Sequence, residues 1–154
     1  MLVVADSSPL HYLILVNHAN LLSSLYGTVT IPTSVANELT HANAPRVVRD
    51  FIKSPPEWLL IQSPRDLLTI DEIDEGERAA ISLALELGAN LLLIDDLDGR
   101  RAAVQRGLRI TGIVGILLDA SEMGLVELRP LVNELVDSGL YISKVLINRL
   151  LGEG

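Results

Sequence analysis

Leu91-Leu92-Leu93-Ile94 is apolar at every position, and Asp95 and Asp96 follow directly. A strand with no polar alternation must be covered on both faces, so it belongs inside a sheet layered between helices. The pattern recurs along the chain. Leu2-Val3-Val4-Ala5 stops at Asp6, Thr28-Val29-Thr30-Ile31 stops at Pro32, and Trp58-Leu59-Leu60-Ile61 runs into a polar link. Arg109-Ile110-Thr111 adds a shorter strand.

Helical segments separate these runs. Ser8 before Pro9 reads as a helix start, a capping hydroxyl followed by proline at the first helical position, and that helix runs to about Val16. A short helix over residues 20–25 ends at Gly27, and Thr33 or Ser34 caps another that carries Val35, Glu38 and Leu39. Residues 40–56 are the least regular stretch, with three prolines and a helical piece at 46–52. The clearest helix spans residues 75–87, where Ala80, Ile81, Ala84 and Leu85 recur at helical spacing before Gly88 stops it. A helix from Asp98 to Gly107, one opening at Gly112 and ending at Met123, and two more over 130–137 and 143–151 complete the order. Strands alternating with helices predict an α/β protein. The expected architecture is a three-layer α/β/α sandwich with a mainly parallel central sheet. The length of 154 residues and the absence of an internal linker predict a single domain, 1–154.

Composition narrows the chemistry. There is no cysteine, which excludes disulfides, thiolate zinc sites, iron–sulfur clusters and thiol catalysis. That composition fits a cytoplasmic protein. No apolar run reaches the roughly 18 residues of a membrane helix, and Asp6 inside the first run argues against a signal peptide. Twenty acidic residues stand against 12 basic ones, a net charge of −8, and only five residues are aromatic. Neither a broad basic surface nor a base-stacking platform for single strands is expected. Carboxylates that hold divalent cations reverse the local sign, however, so an acidic chain can still act on a phosphodiester.

The positions of the acids favour that route. Ligands of open parallel sheets bind beyond the carboxyl ends of the strands, where Asp6, Asp95 and Asp96 fall. Glu38 and Glu77 sit on helices that follow strands. Such an oxygen-rich cluster selects hard ions such as Mg²⁺ or Mn²⁺, which activate water and stabilise a leaving oxygen. Local roles compete. Asp74-x-x-Glu77 is a capping box, Asp96 or Asp98 can cap the helix before Arg100, and Glu38 has a solvated reading. Asp6 has no capping task that Ser8 cannot perform. His11, His18 and His41 lack metal-ligand spacing, and Gly112-x-x-Gly115 reads as a tight strand-to-helix turn. Arg100, Arg101, Arg106 and Arg109 form the densest basic cluster, which reads either as a guide for a phosphate backbone or as a solvated helix face with ion pairs.

Four segments together resemble the PIN-domain family. They are Val3-Val4-Ala5-Asp6-Ser7-Ser8-Pro9-Leu10, Ile31-Pro32-Thr33-Ser34-Val35-Ala36-Asn37-Glu38-Leu39, Gly76-Glu77-Arg78-Ala79-Ala80-Ile81-Ser82-Leu83-Ala84, and Leu92-Leu93-Ile94-Asp95-Asp96 with Gly99-Arg100-Arg101-Ala102-Ala103. The likeness covers residues 2 to about 120 and is strongest to the VapC-like branch. It implies a metal-dependent endoribonuclease, the toxin of a toxin–antitoxin pair, silenced by a small antitoxin protein. Carried over, Asp6, Glu38, Glu77 and one or both of Asp95 and Asp96 would be the metal-binding acids for Mg²⁺ or Mn²⁺. Ser7 or Ser8 would contact a phosphate or metal-bound water; Arg100 and Arg101, by their place just after the second acidic strand end, are the expected contacts to the RNA. The third acid is glutamate where many PIN nucleases carry aspartate. The alternative is a PIN-fold module that is catalytically weak and binds a partner protein. Aliphatic helices near the C-terminus lead us to expect a homodimer.

Overall fold

The computed structural model describes residues 1–152. Five strands form one sheet: β1 (Val3–Ala5), β2 (Val29–Ile31), β3 (Leu59–Ile61), β4 (Leu91–Leu93) and β5 (Ile110–Thr111). Every pairing is parallel, in the order β3-β2-β1-β4-β5, so the sheet is wholly rather than mainly parallel. Nine helices surround it among the described residues: α1 (Ser7–Leu15), α2 (Asn20–Tyr26), α3 (Thr33–Leu39), α4 (Arg46–Lys53), α5 (Glu75–Leu87), α6 (Leu97–Gln105), α7 (Ile113–Glu122), α8 (Leu128–Asp137) and α9 (Lys144–Leu150).

The all-apolar strands β1 and β4 are explained by two separate cores. Successive side chains of a strand point to opposite faces. Val3 and Ala5 pack with Leu93 and the buried faces of α1, α2, α7 and α8, whereas Val4, Leu92 and Ile94 pack with Ala80, Ile81 and Ala84 of α5 and Ala103 of α6. These two clusters are the outer contacts of a three-layer α/β/α sandwich. No described helix is long and apolar enough to cross a membrane.

The strand order places the site. The chain steps outward from β1 to β2 and β3, then returns to the other side of β1 as β4. The order therefore reverses between β1 and β4, where Ala5 lies beside Leu93. Such a switch point opens a crevice beyond the carboxyl ends of two neighbouring strands.

Helix starts depart from expectation in an informative way. The first helix begins at Ser7, with Asp6 in the capping position, so neither Ser7 nor Ser8 is its cap. Pro9 is tolerated two residues further in because the first turn uses no intrahelical N–H. The helix expected from Asp98 begins at Leu97, with Asp96 as its cap. The clearest predicted helix has the same bounds in the structure, with Asp74 capping it and Gly88 in the left-handed conformation at its end.

Candidate active site

Asp6 is 5% exposed, although it follows the carboxyl end of the central strand. Its backbone N–H donates to the Leu93 carbonyl at 2.9 Å, which continues the β1–β4 ladder by one residue. Its side chain makes no capping bond to α1. Burial raises its pKa from 3.8 to about 7, the Ser7 backbone N–H offsets part of that, and the charges of Asp74, Glu38 and Asp95 add to the rise. Asp6 thus feels three other carboxyls, from α3, the cap of α5 and the end of β4.

Glu77 extends the cluster. It lies in the first turn of α5 and is 6% exposed. Burial first, then Asp74 and Asp96, push its carboxyl well above the usual range. Its Oε2 has no hydrogen-bond partner among the described residues, and the neighbouring carboxyls can bond to it only by sharing a proton. Gly99 is what lets it fit: a Cβ there would lie 2.5 Å from Glu77 Oε2 and 2.8 Å from Ile94 Cδ1.

The two aspartates after β4 divide the work. Asp95 Oδ1 accepts from the Ile113 N–H at 2.9 Å, and Oδ2 is buried without a partner. Burial raises the Asp95 pKa, against the Ile113 N–H and the nearby Arg100 guanidinium, which lower it. Asp96 Oδ2 accepts from the Asp98 and Gly99 N–H groups at 3.1 and 3.2 Å, an N-cap on α6. Asp95 is thus held by the start of α7 with its charge felt by Asp6, while Asp96 caps α6 with its charge felt by Glu77.

Asp74 was legible only as a cap. Its Oδ1 does accept from the Glu77 N–H at 2.8 Å. Yet a Cβ on Gly76 would sit 3.5 Å from that same oxygen and 3.7 Å from Asp6 Oδ1, so Asp74 and Asp6 flank one glycine. Asp74 belongs to the cluster, and its spacing to Glu77 disguised it as purely local. The N-terminal ends of α1, α5, α6 and α7 all meet here, and their partial positive charge offsets some of the repulsion.

The remaining predicted residues separate. Ser7, Ser8 and the exposed Glu38 line a cleft of about 470 Å³ together with His11, Tyr12 and Asn43. Burial lowers the His11 pKa, and the Glu38 charge partly restores it. Arg100 Nη1 donates to the Ile94 carbonyl at 2.9 Å, so it braces the acidic strand end. Arg101 is on the surface, 3.6 Å from Asp98 Oδ1, and lines a different cleft with Glu72 and Arg106.

A family model described as a PIN domain matches residues 2–153. This chain belongs to the PIN-domain family. PIN domains are generally nucleases and typically use divalent metals. No curated protein matches the chain. The donor set fits a hard cation: oxygens only, with unpartnered buried atoms on Glu77 and Asp95 and an Asp6 carboxyl whose pKa burial and the neighbouring acids raise to about 7. Among the described residues no three acids already close on one point as a ready cage, since Asp74, Asp95 and Asp96 each turn an oxygen to a backbone N–H.

Proposed function

We propose that the protein is a metal-dependent endoribonuclease that hydrolyses RNA phosphodiester bonds. The observation that carries this reading is the convergence of Asp6, Asp74, Asp95 and Glu77, all buried or braced, at the reversal point of the sheet. Asp6, Glu77 and Asp95 would hold Mg²⁺ or Mn²⁺, with Asp74, Glu38 and Asp96 completing the negative field. When bound, such an ion supplies activated water and charge stabilisation for the leaving oxygen. The chain's own residues do the rest. The Ile113 N–H and Arg100 fix the orientation of Asp95. Gly99 leaves space for the Glu77 carboxylate, and Asp74 and Asp96 fix the starts of the helices that frame it. Ser7 and Ser8 stand between Asp6 and the cleft, where their hydroxyls can bond a phosphate oxygen.

The resemblance to VapC-like proteins extends this to a toxin held silent by a small antitoxin protein, acting in the cytoplasm as one domain. In the same reading the chain is a homodimer joined through exposed apolar side chains of its last third, among them Val136, Tyr141 and Val145. A second reading is a PIN-fold module that binds a partner without cutting. The net charge of −8 and the low basic content favour it.

The test is cleavage of a mixed RNA pool by purified protein with Mn²⁺, with Mg²⁺ and with chelator, beside Asp6→Asn. Metal-dependent cleavage that falls by about 100-fold or more in the variant is expected, the scale on which loss of a charge-stabilising group is felt. Full activity of Asp6→Asn removes Asp6 from the site. No cleavage by folded, metal-loaded wild type favours the binding module.

A further inference from the structure

We propose that the cleft beside Ser7 and Ser8 is a nucleobase subsite, which seats the base next to the scissile phosphate and sets the sequence preference of the cut. The inference rests on the ribonuclease reading above and deepens it. The cleft is about 470 Å³, within the roughly 300–1,000 Å³ of small-ligand sites, and it adjoins the acid cluster: Ser7 and Ser8 follow Asp6 directly, and the Glu38 charge reaches Asp6. A nucleotide whose phosphate lies at Asp6 has its base within reach of this cleft and of no other described cavity that includes a residue of the cluster's Asp6 side.

The walls suit a base. His11 and Tyr12 form an edge-on ring pair, centroids 4.9 Å apart at 76°, which fixes an aromatic corner on α1. Unpaired RNA bases are bound by stacking on such rings and by hydrogen bonds to their edges. The opposite wall supplies the edge contacts from the α3–α4 connection. His41 Nδ1 accepts from the Asn43 N–H at 3.1 Å, so the neutral ring carries its proton on Nε2 and offers a donor. The Asn43 side-chain amide is held by no hydrogen bond among the described residues, so it keeps both a donor and an acceptor for a base edge. The connection itself is braced, with Ala44 N–H donating to the His41 carbonyl at 2.9 Å and Thr40 Oγ1 to the Ala36 carbonyl at 2.9 Å. Two fixed walls, one aromatic and one amide-bearing, make a recognition slot and not merely a groove.

Two measurements test this separately from the activity. Binding of the four ribonucleoside 5′-monophosphates and of ribose 5-phosphate is measured by calorimetry in chelator. Sequencing of RNA ends after metal-dependent cleavage reads the base beside the cut. The variants are Asn43→Ala, which removes edge contacts, and Ala44→Trp, which fills the cleft. We expect at least one mononucleotide to bind about tenfold more tightly than ribose 5-phosphate, with that margin lost in both variants, and a base preference at the cut that broadens in Asn43→Ala. Equal binding of ribose 5-phosphate and all mononucleotides overturns the subsite and leaves the cleft to a peptide side chain. Cleavage whose base preference is unchanged in both variants overturns it also, with the nuclease intact. Mononucleotide binding lost in the variants, from a wild type that cuts no RNA, keeps the subsite and sinks the nuclease.

Discussion

The ends of β1 and β4 are built from the same parts and used differently. Each is a buried apolar strand that runs into an aspartate and then a helix. At β4 there are two acids, so Asp96 caps α6 while Asp95 is left to turn inward against Ile113 and Arg100. At β1 there is one. Asp6 occupies the capping position of α1 but gives the helix no side-chain bond, and α1 starts without a cap. A cap is worth about 1 kcal/mol. A chain that forgoes it and instead buries a carboxyl among others gives up stability at that point.

The largest effect should come from relieving that burial. With a pKa of about 7 when folded and 3.8 in the free side chain, Asp6 holds in the native state a proton that the unfolded chain releases. Its contribution to stability is complete below about pH 4 and is lost as pH rises to 7, a total of roughly 4 kcal/mol at most. In chelator, urea unfolding of Asp6→Asn at pH 8 should therefore show a more stable protein than wild type, and the gap should close toward pH 4. Equal stability at pH 8 would mean that Asp6 is solvated and that the contrast with β4 is empty.

A middle-sized effect separates two glycines beside the acids. Gly99→Ala drives a methyl into Glu77 and Ile94 and should cost about 1–3 kcal/mol. Gly76→Ala meets only ordinary contacts at 3.5 Å or more and should stabilise α5 by roughly 0.5–1 kcal/mol. Thermal unfolding of both checks the packing of the site, and matching shifts would show that Glu77 is free to move aside.

The smallest effect isolates the cap at β4. Asp96→Ser keeps an acceptor and Asp96→Ala does not, while both remove the charge. The serine variant should be about 1 kcal/mol the more stable of the two by urea unfolding. No difference would return Asp96 to the same role as Asp95.

Much of this molecule is readable from residue order. The span of α5 follows from Ala80, Ile81 and Ala84 at helical spacing between Asp74 and Gly88, because a cap and a left-handed glycine are local devices. The burial of both faces of β1 and β4 follows from their lack of any polar alternation, and the acids after them mark the carboxyl edge. The wholly parallel sheet and the membership in the PIN family agree with that reading. Pairing at the strand ends was not local. Which of Asp95 and Asp96 turns inward depends on the Ile113 N–H, contributed by a helix that begins 18 residues later. Asp74 reads as a cap until α5 is laid against β1, which puts it across Gly76 from Asp6. The need for glycine at 99 exists only once α5 delivers Glu77 to α6. His11 gained a place in the cleft from α3 and the turn after it. Residue order determined where carboxylates would be displayed, since hydrophobic periodicity and caps act within a few residues. Only the folded sheet decided which of them share a field, since Coulomb forces and steric contact act through space and take no account of distance along the chain.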